Sequence, residues 1–305
     1  MKKLFLVIMA LSLLLVTGCG KESLSSQEQG SGYTVVDARG KKITFASAPK
    51  RIVCLNYSAT DILTDLIPTE RIIATDMWAR EEDLSNCYEK LKGIPVCENN
   101  PEQIMKFKPD LVILTDGRAN ELADTLDSVG IKTCVLRQPK TIQEIPDYIK
   151  IVGEVADTKA ADSLAEKVAA YLKASAGGQK IESVLLIHPN GGIGQKGSMP
   201  ASICEACNIE NLAAKYDFPQ SSYLSKEQII AMNPKRLIVL DWSFGGQHKN
   251  AEIRKEEILN DPSYQTVSAV QNGKVVIVPM KYMHCSSQYV MKNLEELKRI
   301  MRTTL

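Results

Sequence analysis

Aromatic, cationic and imidazole side chains follow several short apolar runs in this chain of 305 residues. Both tryptophans, Trp78 and Trp242, are among them, as are two of the three histidines. Aromatic faces combined with a few cations and hydrogen-bonding groups are typical of sites for a bulky, partly charged small molecule. We therefore predict that the following residues bind a ligand: Tyr57, Trp78, Arg80, Arg118, His188, Trp242, Lys281, Tyr282, Met283 and His284. The alternative is that the tryptophans pack two halves of the protein together and that the charged groups are solvated.

The elements that position these residues are predicted from an alternation of apolar runs and helical patterns. Short apolar runs predict buried strands, and patterns such as 59–66 and 120–129 predict helices between them. Alternating strands and helices form parallel, layered α/β sheets, whose ligands bind beyond the carboxyl ends of the strands. The predicted strands are 52–55, 71–75, 110–114 and 132–136 in the first half, and 183–187, 236–240 and 274–278 in the second.

A helical segment without Gly or Pro separates the two halves. Residues 157–176 are rich in Ala, Leu, Lys and Glu; Asp157 or Thr158 can cap the start, and two glycines follow the end. This pattern predicts an α/β fold of two Rossmann-like lobes with central parallel sheets, joined by one long rigid α-helix. The predicted lobes cover residues 33–150 and 179–305, and the connecting segment covers residues 151–178.

The amino-terminal residues are typical of an export signal. Two lysines precede an apolar run over residues 4–16, which is too short to cross a bilayer core of about 30 Å. The run leads to Gly18-Cys19, which is similar to a bacterial lipobox. We predict a signal peptide over residues 1–18, a lipid on Cys19 and a flexible polar tether over residues 19–32. The protein would then lie on the outer face of the cytoplasmic membrane or in the periplasm.

Sequence signatures of catalysis are missing. The chain has no G-x-S-x-G, no P-loop and no H-E-x-x-H motif. Cys204 and Cys207 form a C-x-x-C, but no second pair or nearby histidine completes a zinc spacing. We therefore predict that the protein is not an enzyme; the alternative is a secreted redox or metal-dependent enzyme that uses these two cysteines. Cys87 and Cys97 could form a disulfide. The net charge of +1, without a basic run, does not indicate nucleic-acid binding.

A short sequence motif that begins with Glu-Gln-Ile and ends with Pro occurs twice in the chain. Residues 102–109 and 227–234 both begin with Glu-Gln-Ile and end with Pro, and an apolar run follows each. The pattern predicts a short helix, opened by Glu102 or Glu227, before a buried strand. Its repetition indicates two halves of similar construction. Each glutamate could serve only its own helix, because a carboxylate near a helix N-terminus contributes about 0.3–1 kcal/mol.

Motifs along the chain resemble those of the substrate-binding lipoproteins of ATP-driven importers for iron-siderophore complexes, haem and cobalamin. The similar segments keep the family's order: 37–40 (DARG), 49–53 (PKRIV), 101–113, 224–228 with 233–234, and 267–275. The resemblance implies a class III periplasmic binding protein fold with the ligand between the lobes, no cofactor of its own, and a monomer. It also implies a permease and its ATPase as partners. In such proteins one surface Glu per lobe docks onto arginines of the permease, and the matching positions are Glu102 and Glu227.

The resemblance leaves the bound metal chelate open. An anionic ferric siderophore would use cations such as Arg80, Arg118 or Lys281. Haem would take an axial ligand from among Tyr57, Met77, Tyr282, Met283 and His284. Cobalamin would use aromatic walls such as Trp78, Trp242 and Phe244. We expect a ferric siderophore, because that class dominates the family.

A receptor for free zinc or manganese is a further alternative. Such a receptor offers several histidines and carboxylates at its cleft. This chain has only three histidines, and none of them lies within residues 33–150. The scarcity of imidazoles counts against this alternative.

Overall fold

The computed structural model describes residues 32–117, 119–175, 177–178, 180–188, 194–216, 223–242 and 250–303. The predicted signal peptide and Cys19 lie outside these ranges. The described chain begins with an antiparallel hairpin, β1 (Tyr33–Val36) and β2 (Lys42–Phe45), and continues into two parallel sheets. None of the helices in these ranges is long and apolar enough to cross a membrane.

Four parallel strands form the sheet of the first lobe: β3 (Ile52–Leu55), β4 (Ile72–Thr75), β5 (Leu111–Thr115) and β6 (Thr133–Leu136). They lie in the order β4-β3-β5-β6. Nearly every residue of these strands is buried, which explains why they read as continuous apolar runs. Helices α1 (Tyr57–Leu66), α2 (Pro101–Lys106) and α3 (Asn120–Ser128) connect the four strands.

Two helices connect the sheets, α4 (Ile145–Ala156) and α5 (Ala160–Ser175). The chain turns between them, where Asp157 adopts a left-handed conformation with φ of 55° and the Thr158 hydroxyl accepts the amide of Ala160. Close packing at this turn requires Gly153, since a Cβ there would lie 2.1 Å from that of Ala161. Helix α5 matches the helix predicted over residues 157–176. The wider segment 151–178 therefore holds the end of α4 as well as the whole of α5, rather than one continuous helix.

The sheet of the second lobe has four parallel strands: β7 (Ser183–Ile187), β8 (Glu210–Asn211), β9 (Arg236–Asp241) and β10 (Val275–Pro279). Its order is β8-β7-β9-β10. When strands are numbered by chain position within each lobe, both sheets read 2-1-3-4, which confirms two halves of similar construction. Strand β8 is missing from the sequence prediction because its two polar residues form no apolar run.

Helices α6 (Met199–Ala206), α7 (Lys226–Met232), α8 (Asn250–Asn260) and α9 (Ser268–Gln271) belong to the second lobe, and α10 (Val290–Thr303) follows its last strand. One cluster of buried apolar side chains extends from β3 through α4 and α5 to β7 and α10. The lobes therefore share a continuous core on the side of the connecting helices. The parallel α/β architecture predicted from the sequence is confirmed.

Candidate ligand-binding site

A cavity of about 540 Å³ lies between the two lobes, beyond the carboxyl ends of their strands. Six of the predicted ligand residues line it: Tyr57, Trp78, His188, Trp242, Lys281 and His284. Each comes from a segment that follows a strand, namely β3, β4, β7, β9 or β10. The common edge of the two sheets therefore gathers residues that are far apart in the sequence.

Helix and turn capping position the first-lobe residues. The Asn56 side chain accepts the amide of Ala59 at 2.9 Å, so α1 begins directly after β3 and Tyr57 lies at the strand end. The Asp76 carboxylate accepts the amide of Ala79 at 2.9 Å and so caps the turn that carries Trp78. Burial raises the pKa of Asp76 to about 7. The turn that carries Trp78 is therefore capped by a carboxyl group that titrates near neutral pH.

The two tryptophans meet across the cavity. Their ring centroids lie 5.4 Å apart, with the rings edge to face at 72°. The His188 ring packs against Trp242 in a similar geometry, at 5.2 Å and 83°. A flat ligand between two parallel rings needs about 7 Å, since each contact takes about 3.5 Å. Such a ligand must therefore lie beside the indoles, or the indoles must separate to admit it.

Two imidazoles that follow β7 and β10 of the second sheet lie close together at the cavity. The rings of His188 and His284 are 6.1 Å apart between centroids. Burial lowers the pKa of His188 to about 4, and burial together with the neighbouring His188 lowers the pKa of His284 to about 3. Both rings are therefore neutral at pH 7. The Nε2 atom of His284 is buried and has no hydrogen-bond partner within the described residues. A neutral imidazole of this kind is a suitable metal ligand.

Two of the three predicted cations, Lys281 and Arg80, are engaged with backbone carbonyls. Lys281 donates from Nζ to the Glu82 carbonyl at 2.8 Å and from its amide to the Asp83 carbonyl at 2.9 Å. Arg80 does not line the cavity, because its guanidinium is turned towards the carbonyl of Ile94. Arg118 lies outside the described residues.

The remaining predicted ligand residues point elsewhere. Met283 is fully buried in the main core, and Tyr282 packs against that core. These residues belong to or follow a tight 3₁₀ turn after β10, in which consecutive side chains point in different directions. Met77, considered as an axial ligand, is exposed and does not line the cavity, and Phe244 lies outside the described residues.

Sequence reasoning missed part of the cavity wall. Pro139 and Lys140, which follow β6, line the cavity, as do Leu84 and several residues between 194 and 200. The segment after β6 could have been found by the same strand-end argument, because it directly follows a predicted strand. The other segments lie too far beyond their strands for that argument to reach them.

The paired cysteines lie away from the cavity. Cys204 and Cys207 are each 1% exposed and belong to the main core, and the Cys207 thiol donates to the Leu294 carbonyl. Burial raises the pKa of Cys207 to about 12, so that thiol is unreactive at neutral pH. A redox site would need these sulfurs at the ligand, so the structure contradicts the redox alternative. Every cysteine in the described ranges, including Cys87 and Cys97, is a free thiol.

Glu102 and Glu227 are both exposed at the start of a short helix. The N-caps are Asn100 and Ser225, whose side chains accept the amides of Gln103 and Gln228. In each helix the glutamine that follows the glutamate also binds the backbone ahead of the helix. Gln228 Oε1 accepts the Ser225 amide at 2.8 Å, and Gln103 Oε1 accepts the Glu98 amide at 3.1 Å. The repeated Glu-Gln pair thus divides two roles: the glutamine side chain binds the backbone at the start of the helix, and the glutamate presents its carboxylate to the surface.

The chain matches the periplasmic binding protein family over residues 52–282. It is 23% identical over 309 aligned residues to an uncharacterized ABC transporter substrate-binding lipoprotein, YvrC, of Bacillus subtilis, covering 94% of this chain and 93% of that protein. It is 25% identical to a cobalamin-binding protein of Halobacterium salinarum over 66% of this chain and 56% of that protein.

A similar fold is found in the periplasmic heme-binding protein RhuT from Roseiflexus sp. RS-1, solved in apo form. That structure superposes with a TM-score of 0.68 at 19% identity, and the match covers 84% of this chain and 98% of the other.

Proposed function

The chain belongs to the periplasmic binding protein family, and we propose that it captures a metal chelate in the cleft between its lobes and delivers it to the permease of an ABC importer. Its role is to bind rather than to catalyse, in keeping with the transport role of the family. The observation that carries the proposal is the cavity at the strand ends, where the first lobe contributes an indole and a phenol and the second half of the chain contributes an indole and two imidazoles. Permease and ATPase are the partners that follow from this role.

The wall chemistry favours a chelate with a broad apolar face. Trp78, Trp242 and Met280 line the cavity, and both histidines beside them are neutral. Within the described ranges the lining includes no arginine and two lysines; Lys281 donates to the Glu82 carbonyl, and Lys140 is exposed at the cavity wall. An anionic ferric siderophore would need stronger compensation of its charge. We therefore place haem or a corrinoid ahead of the ferric siderophore expected from the frequency of that class. The relatives described as cobalamin-binding and heme-binding support this order.

His284 is the residue we propose for contact with the metal of the chelate. Its Nε2 atom is buried and without a hydrogen-bond partner among the described residues. A bound metal with an open axial position would satisfy this lone pair.

Glu102 and Glu227 are proposed as the docking contacts for the permease, one on each lobe. Two exposed carboxylates on a rigid frame can each accept an arginine in bidentate geometry, which fixes orientation as well as affinity. Docking also requires that the receptor stay near its transporter. A signal peptide over residues 1–18 and a lipid on Cys19, followed by the tether, would hold it on the outer face of the membrane.

The test is a titration of the lipid-free protein with haemin, cyanocobalamin and a ferric catecholate siderophore, followed by tryptophan fluorescence. The chain has only two tryptophans, and both line the cavity, so a bound chelate should quench most of the emission. We expect saturable quenching by haemin or cyanocobalamin. Saturable quenching by the siderophore alone would restore the original expectation, and no saturable quenching by any of the three would refute the chelate proposal.

Replacement of His284 sharpens this test. His284→Ala should weaken binding of the preferred chelate about tenfold and change its visible spectrum, because an axial ligand is lost. Tyr282→Phe is the matched control, since Tyr282 lies two residues away and does not line the cavity. An unchanged spectrum in His284→Ala would rule out metal contact by this residue.

A further inference from the structure

The segment between β10 and α10 crosses to the first lobe. Residues 284–289, which we name the strap, follow the last strand of the second lobe and lie against α1. The Tyr57 hydroxyl donates to the His284 carbonyl at 3.3 Å. The Ser287 hydroxyl donates to Asp61 Oδ2 at 3.1 Å, and Gln288 Nε2 donates to the Asp61 carbonyl at 2.9 Å. A segment of the second half is thus hydrogen-bonded along one face of a first-lobe helix.

Further contacts extend the strap along the same helix face. Gln288 Nε2 also lies 2.8 Å from Asp65 Oδ2, and the Tyr289 hydroxyl lies 3.3 Å from Asp65 Oδ1. Tyr57, Asp61 and Asp65 recur at intervals of four residues, so they lie on one side of α1. The attachment therefore runs over two turns of the helix.

Asp61 is the buried centre of this contact. It is 2% exposed, and its carboxyl accepts hydroxyl hydrogens from Ser85 at 3.3 Å and from Ser287 at 3.1 Å. No ion pair involving Asp61 is found in the described part of the chain. Burial is the main cause that raises its pKa. A buried carboxyl that binds hydroxyls from two distant segments serves to join them.

From these contacts, and on the basis of the proposed chelate site, we propose that Asp61 is a positioning residue for His284: it anchors the strap to the first lobe and so provides that lobe with an imidazole. Residues 33–150 contain no histidine of their own. His284 follows a second-lobe strand, yet its backbone is bound to Tyr57 and its neighbours to Asp61. His188, by contrast, directly follows β7 of the second lobe. The His284 amide also donates to the Met280 carbonyl of the second lobe at 3.0 Å. His284 is therefore held by both lobes, whereas His188 extends from the second lobe, so a change in the separation of the lobes would alter the distance between the two rings.

The proposal can be tested on the full protein without any ligand. The chain has three histidines, so imidazole NMR signals can be resolved, and His284→Gln identifies the signal of His284. In the wild type His284 should have its low pKa of about 3. In Asp61→Ala and in the milder Ser287→Ala, the released ring should become hydrated, and its pKa should move towards the ordinary value of about 6.5.

Two variants define the controls. Asp61→Asn keeps the size of the side chain and an acceptor oxygen for Ser287, so it should retain the low pKa of His284. Asp147→Ala removes an exposed carboxyl from α4 of the same lobe and should also leave it unchanged. An unshifted His284 signal in folded Ser287→Ala and Asp61→Ala would overturn the proposal, as would an equal shift in Asp147→Ala.

Haemin binding then separates this inference from the proposed function. If wild type binds haemin, Asp61→Ala should weaken binding about tenfold, and adding His284→Ala should cause little further loss, because both changes remove one contact. Additive losses would show that Asp61 acts by another route and would overturn the positioning role. If no chelate binds to the wild type but the His284 pKa still shifts in the ligand-free variants, the proposed function fails while the anchoring of the strap stands.

Discussion

The two lobes share their scaffold but differ in the surface they present to the cleft. Both sheets have the order 2-1-3-4, and both lobes place an exposed glutamate in the first turn of a short helix before the third strand. At the cavity the first lobe contributes Tyr57 and Trp78, whereas the second contributes His188 and Trp242. The strap then brings His284 to the first lobe. The comparison shows that the helices with the exposed glutamates are repeated, while the residues at the cavity are specific to each lobe.

The two lobes also differ at the amino-terminal ends of their strands, on the side of each sheet away from the cavity. There the first and third strands of each sheet are joined by different contacts. In the second lobe the fully buried Arg236, at the start of β9, pairs with Glu182 before β7 at 2.6 Å. In the first lobe the exposed Asp110, before β5, accepts the amides of Lys50 and Arg51 before β3 at 2.7 and 2.9 Å. Both contacts join the first and third strands of their sheet. The contact in the second lobe is a buried ion pair, whereas the contact in the first lobe is a pair of exposed hydrogen bonds.

The largest expected effect tests this difference in burial. Glu182→Ala should lower the free energy of unfolding by about 3–5 kcal/mol, because it removes the carboxylate that compensates the buried Arg236 charge. Asp110→Ala removes only two hydrogen bonds at the surface and should cost about 1–2 kcal/mol. Urea unfolding of both variants measures the two values. Equal losses of unfolding free energy in the two variants would show that the buried ion pair stabilises the protein no more than the exposed hydrogen bonds do.

The second prediction concerns the pH dependence of the first lobe. The pKa of Asp76 is raised to about 7, above its value of about 3.9 in an unfolded chain. The protonated carboxyl is therefore favoured by folding, so its stabilisation is complete below about pH 4 and is lost as the pH rises through 7. Asp76→Asn should remove this loss, which amounts to at most about 4 kcal/mol.

Unfolding curves between pH 4 and pH 8.5 measure this dependence. Asp116→Asn is the matched control, since Asp116 directly follows β5 as Asp76 follows β4 but is exposed. A wild-type pH slope that survives in Asp76→Asn would assign the titration to another group.

The third prediction tests the repeated feature. Charge reversal of both Glu102 and Glu227 to Lys should reduce uptake of the chelate about 100-fold in cells, and each single reversal about tenfold, while ligand affinity stays unchanged. Glu121→Lys and Glu252→Lys are matched controls, because these exposed glutamates lie in the first turn of other helices, one in each lobe. Loss of uptake in only one of the two single variants would mean that only one lobe contributes its glutamate to docking.

Sequence patterns predict the fold well where a buried strand has a continuous apolar composition. The strands of both sheets are covered on both faces and so appear as apolar runs, whereas β8, with Glu210 and Asn211, does not. The cleft is less predictable. Lys281 and His284 face the cavity while Met283, between them, is core, and only the geometry of the turn decides which side chain points where. The attachment of His284 to α1 joins residues more than two hundred positions apart and leaves no local pattern.

The smallest expected effect compares the two tryptophans. Each indole offers an aromatic face to the chelate, so replacement by Ala should weaken haemin binding by about 1 kcal/mol, or about fivefold. Trp242 also packs against His188 and so holds that imidazole, whereas Trp78 contacts Trp242 from the first lobe. We therefore expect a larger loss in Trp242→Ala than in Trp78→Ala, measured by absorbance titration. The double variant should lose less than the sum, because each replacement already breaks the contact between the indoles. Equal and additive losses would mean that the two lobes hold the ligand independently, and that the contact across the cleft has no part in binding.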